Sequence, residues 1–96
     1  MKVKPKQEIL FYDGSPIKNP DTKTAITVKE LIVQSINTTE EGDSGEDKMR
    51  AFDISMRMYS DEEVDLSVED MNFILKKAGK VLVPVAYGRL KEIFND

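Results

Sequence analysis

Cysteine and histidine are absent from this 96-residue chain. The first absence excludes disulfides, thiolate metal sites and cysteine nucleophiles; the second removes the commonest general base and the commonest metal ligand. No stretch approaches the roughly 20 consecutive apolar residues of a membrane span, and no apolar run follows the N-terminal Met-Lys-Val-Lys-Pro-Lys. Neither a membrane helix nor a secretory leader is expected, and the cytoplasm is the default location. Basic residues are also few, at 14 Lys and Arg against 18 Asp and Glu. A pI near 4.9 opposes general affinity for phosphate backbones, which comes from counterion release by Lys and Arg.

What is present is enough for one folded domain. Hydrophobic residues make up 40% and charged residues 33%, too apolar a balance for disorder and sufficient for one modest core. The charge is segregated. Twelve of the 18 carboxylates lie within residues 40–70, opposed there by Lys48, Arg50 and Arg57, while both flanks are net positive. Such segregation shapes what the surface attracts and how copies of the chain meet, without naming a chemistry.

Local signals predict an α+β, mostly α fold: an N-terminal β-hairpin followed by three to four short helices. Residues 1–7 alternate lysine with small or apolar residues around Pro5 and are expected to form a flexible arm, leaving 8–96 as a single domain. Glu8-Ile9-Leu10-Phe11-Tyr12 reads as a strand, Asp13-Gly14 as its turn, and the return strand runs to Lys18. Asn19-Pro20-Asp21 closes the hairpin. Three helices then open with a hydroxyl followed three residues later by an acid: Thr27 with Glu30, Ser44 with Asp47, Ser67 with Asp70. The expected spans are about 28–37, 45–59 and 68–78. Pro84 suits the first turn of a fourth, 84–94, although the valines of 81–85 also fit a buried strand.

Helix faces follow from spacing. Val28, Leu31, Ile32, Ser35 and Ile36 give the first helix one buried face. In the second, Met49, Phe52, Met56 and Tyr59 lie at 3–4–3 spacing, with Ile54 and Met58 expected to widen that stripe. The third is expected to bury Val68, Met71, Ile74, Leu75 and Ala78, to use Lys76 and Lys77 at its C-terminal dipole, and to stop at Gly79. Val64-Asp65-Leu66 is long enough for a few strand-like hydrogen bonds beside the hairpin. In the last helix Ala86, Tyr87, Leu90, Ile93 and Phe94 are apolar, and Gly88 suggests close approach of another backbone.

Chemistry-bearing constellations are weak. The acidic run of residues 40–47 invites a calcium reading, but neither it nor 61–70 has the acid, glycine and glutamate register of an EF-hand. Catalysis would rest on Asp, Glu, Lys or Tyr beside turns, with every serine explained as a cap or turn residue. No metal, cofactor or enzymatic activity is expected. Glu40, Glu41, Asp43 and Glu46 form an acidic patch able to imitate nucleic acid toward a basic host protein. The closing helix pair, with Tyr87, Arg89 and Lys91, imitates a helix-turn-helix for DNA.

Taken in order, Asp13-Gly14-Ser15-Pro16-Ile17, residues 45–52 (Gly-Glu-Asp-Lys-Met-Arg-Ala-Phe) and residues 64–70 (Val-Asp-Leu-Ser-Val-Glu-Asp) resemble small proteins encoded by tailed bacteriophages and prophages. The pattern runs through nearly the whole chain, but its motifs are structural, so the resemblance implies an origin rather than an activity. The run Pro84-Val85-Ala86-Tyr87-Gly88 departs from that group's usual ending. The apolar surface of the second and last helices exceeds what so short a chain covers easily, and a symmetric dimer is the commonest remedy. The expected role is a non-enzymatic, self-associating protein-interaction module in the host cytoplasm. Its contact or core residues are Met49, Phe52, Met56 and Tyr59, with Tyr87, Leu90 and Phe94; a host or phage protein is the other candidate partner.

Overall fold

A computed structural model describes residues 1–95 as an α+β, mostly α fold with four helices and one two-stranded antiparallel ladder. The helices are α1 (Val28–Ile36), α2 (Gly45–Ser60), α3 (Val68–Val81) and α4 (Pro84–Phe94). Their starts obey the sequence. Ser44 and Ser67 each accept from the amide three residues on while Asp47 and Asp70 accept from the cap's own amide, and Thr27 caps α1 through Glu30 N. These bonds satisfy amides that no turn of helix precedes. α1 buries Val28, Leu31, Ile32, Ser35 and Ile36, and the Ser35 hydroxyl is satisfied inside the core by the Leu31 carbonyl at 2.7 Å.

The N-terminal hairpin turns at Gly14 (φ 86°), where Asp13 accepts from both the amide and the hydroxyl of Ser15. The Ser15 hydroxyl, followed by its amide, holds the Asp13 carboxyl below its ordinary value. The hairpin does not extend into regular strands, because residues 24–28 return to it. Ile17 N donates to Ile9 O, Ile26 N to Ile17 O, and Ile9 N to Ile26 O, at 2.9, 2.8 and 2.9 Å. This ring of backbone hydrogen bonds ties three segments together and carries Ile9 into the core, 1% exposed.

Residues 1–7, expected as a flexible arm, instead bury Val3 and Pro5, with Lys2, Lys4, Lys6 and Gln7 exposed. Lys2–Val3 (β1) pairs antiparallel with Val64–Asp65 (β2), in register Lys2 to Asp65 and Val3 to Val64, and both valines are buried. β2 therefore lies beside the first residues and not beside the hairpin. Burying Val3 gains about 1.5 kcal/mol that a frayed end forgoes. Replacing Val3 with alanine is expected to cost about that amount in a urea titration; an unchanged midpoint would restore the flexible arm.

α3 and α4 correct four further expectations. Gly79 does not stop α3, which continues to Val81. The helix ends where Leu82 and Val83 are extended ahead of Pro84, as the residue before proline must be. Tyr87 lies over Gly79, where an added Cβ would come 3.6 Å from its ring, whereas nothing approaches Gly88. Residues 81–85 form no strand. Finally, Val68 is exposed and Lys77 buried on α3, the reverse of the expectation.

The candidate contact face

α2 carries two apolar stripes. At 3.6 residues per turn, Ala51, Ile54 and Met58 fall on roughly the opposite side from Met49, Phe52, Met56 and Tyr59. The first three enter the core at 6%, 0% and 1% exposure, while the other four stand in solvent at 58%, 56%, 56% and 68%. Ile54 and Met58 thus belong to the inner face and do not widen the outer stripe.

Lateral ties hold α2 in this orientation. On one flank Arg50 and Arg57 reach Asp70 of α3 at 2.8 and 3.5 Å, and Arg57 also donates to the Asp65 carbonyl at 3.1 Å. On the other, Asn37 at the end of α1 donates to Ser55 Oγ at 2.9 Å. Burial opposes ionisation of Asp70, but the Ser67 amide and hydroxyl and the Arg57 guanidinium outweigh it and hold its carboxyl below the ordinary value.

Beyond Tyr59 the stripe meets a groove of about 670 Å³ lined by Lys4, Lys6, Lys29 and Tyr59, with Asp61 and Glu62 on the same rim. The Lys29 ammonium sits 4.6 Å from the centre of the Tyr59 ring, a cation–π contact that orients the exposed aromatic. Lysines from residues 1–7 belong to this groove only because β1 is packed.

The acidic patch is divided. Asp43 accepts from Lys77 at 2.7 Å and from the Glu40 amide at 2.8 Å; Glu40 pairs with Lys80 at 2.6 Å and Lys77 at 3.4 Å. The Lys77 hydrogen bond first, then the Glu40 amide, lowers the Asp43 pKa, and Lys80 chiefly lowers that of Glu40. Burial disfavours the Lys77 ammonium, yet Asp43 and Glu40 overcome it and raise its pKa. Two of the four acids therefore clamp the loop onto α3, leaving Glu41 and Glu46 exposed. Sequence reading missed Lys77 as their partner; its signal was a lysine three residues after Ile74 and next to Ala78, on the buried side.

The C-terminal candidates separate from the α2 stripe. Leu90 and Phe94 are core, at 0% and 7% exposure, and Tyr87 is half-buried against that core. Arg89 donates to the carbonyls of Leu10 and Phe11 at 3.0 and 2.8 Å and pairs with Glu92. Of the three side chains considered for DNA, Lys91 alone is exposed. No helix among the described residues is long and apolar enough to cross a membrane. Compared with protein-family models, curated proteins and solved structures, the chain shows no match to any.

Proposed function

We propose that the protein is a non-enzymatic protein-interaction module of phage or prophage origin, working in the host cytoplasm through the outer stripe of α2. The observation that carries this reading is the exposure of four large side chains in one line on a helix whose opposite face is fully core. Contiguous apolar patches of a few hundred Å² on a small protein mark contact sites more often than chance. Total exposed area points the same way: 6219 Å², against about 5,600 Å² for a compact monomer of this mass. The excess is of the order of the stripe itself. Methionine and aromatic side chains suit such a face, since a flexible thioether adapts to a partner and a ring supplies large area at low entropic cost.

The acidic-regulator alternative rests now on Glu41 and Glu46, because Glu40 and Asp43 are neutralised within the fold. Viral origin rests on the sequence motifs alone. The contact reading is tested by placing photoreactive p-benzoylphenylalanine at position 56, or at Lys91 on α4, in expressing cells. Discrete protein adducts are expected from position 56 and not from 91. No adduct at 56, or the same adducts from both positions, contradicts it.

A further inference from the structure

We infer that the occupant of the α2 stripe is a second copy of the same chain, its α2 packed antiparallel across a two-fold axis between Phe52 and Met56. This rests on the stripe being a contact face. Three observations select this occupant and this direction. First, the 3–4–3 spacing of Met49, Phe52, Met56 and Tyr59 reads the same in reverse, so an antiparallel copy aligns residue for residue. Second, the order of types matters. An antiparallel pair sets Met49 against the other copy's Tyr59 and Phe52 against its Met56, so that every layer joins a thioether to a ring, a favourable contact. A parallel pair instead stacks Met on Met and ring on ring.

Third, charges at the two ends match in part. The start of α2 offers exposed Glu46, with Glu41 exposed in the loop before it, and an antiparallel copy places this end over a groove whose three lysines, Lys4, Lys6 and Lys29, outnumber its two acids, Asp61 and Glu62. Lys48 and Glu62, which run against those local signs, come to face one another across the axis. Like-charge contacts oppose the pairing at two places: exposed Asp61 on the groove rim comes near the acidic start of the other α2, and Asp53, exposed beside the axis, meets its own twin. Four side chains more than half exposed offer roughly 400–500 Å² per copy, and so about 1,000 Å² in a pair, the lower bound for a specific interface. Association is therefore reversible, with dimer accumulating across about 10 µM to 1 mM.

Because the natural chain has no cysteine, single-cysteine variants report geometry without background. Met49→Cys and Tyr59→Cys are prepared separately, mixed or kept apart, and oxidised at high concentration. An antiparallel pair puts residue 49 of one copy beside residue 59 of the other. The two copies of residue 49 are then about 15 Å apart, ten residues at 1.5 Å rise, beyond disulfide reach. Cross-linking in the mixture, and in neither variant alone, is the expected result. Cross-linking of each variant by itself establishes a parallel pair and overturns the proposal.

Asp53→Asn gives an independent readout. Relief of the twin repulsion tightens dimerisation about two- to fivefold, whereas in a parallel pair Asp53 faces Lys48 and its loss weakens binding. A chain that stays monomeric by light scattering at about 1 mM, with position-56 photo-adducts persisting, excludes the second copy and leaves the contact face standing. Absence of both dimer and adducts removes the face as well.

Discussion

Replacing Ile54 with alanine lowers the unfolding free energy by about 3 kcal/mol, while replacing Phe52, two residues earlier on the same helix, changes it by less than about 0.5 kcal/mol. The difference follows from which side of α2 each residue occupies. Ile54 is fully enclosed and Phe52 is 56% exposed. Truncating Ile54 removes buried carbon and leaves a cavity that neighbouring helices fill only in part; truncating Phe52 removes a ring from water. In a domain of this size, with about 5–10 kcal/mol in all, the first loss is roughly a third to a half of the total. Urea midpoints at low micromolar concentration, where association adds nothing, read it directly. Equal losses at the two positions would mean that the outer stripe is covered within a single chain.

Removing the Asp70 carboxylate, as in Asp70→Ala, is expected to cost about 2 kcal/mol. One side chain closes the capping box of α3, accepts from Arg50 and Arg57 of α2, and is 9% exposed. The cap is worth about 1 kcal/mol, and two half-exposed guanidinium groups lose their anion. The same carboxyl sets part of the acid response. Its folded pKa lies below its ordinary value, so its contribution is present above the unfolded value near 4 and lost as pH falls through the folded one. Asp43 and Glu40 share that sign. Lys77 has the opposite one: its pKa is raised, so its contribution is intact at neutral pH and disappears only in strong alkali. With no histidine to titrate between them, stability should be flat from about pH 5 to 9 and fall below pH 4. Asp70→Ala should flatten the acid limb. A urea midpoint that rises on acidification contradicts this assignment.

What the sequence disclosed, and what it hid, divides along the range of the interactions. Capping boxes at Ser44 and Ser67, the single apolar face of α1, the Asp13-Gly14 turn and the Pro84 start of α4 are each decided within a few residues, and each is found where its local chemistry puts it. Pairing of Val3 with Val64 spans most of the chain and is too short to show alternation. The partner of Lys77 lies in a loop 34 residues away, so its burial was invisible to a rule that sends lysine to solvent. Gly79 looked like a stop, but the residues before Pro84 supplied the stop instead. For the candidate site, periodicity revealed an apolar stripe on α2 and could not say which way it points. A helix with apolar residues on two sides has two possible inner faces, and Arg50, Arg57 and Asn37 choose between them through partners on other elements.

Sedimentation equilibrium over a hundredfold range of concentration tests the central claim most directly, for the natural chain beside Phe52→Glu. The natural chain should move from one to two copies as concentration rises, while Phe52→Glu stays at one copy with an unchanged urea midpoint. A natural chain that remains a single copy throughout, or a variant that dimerises equally well, would contradict it.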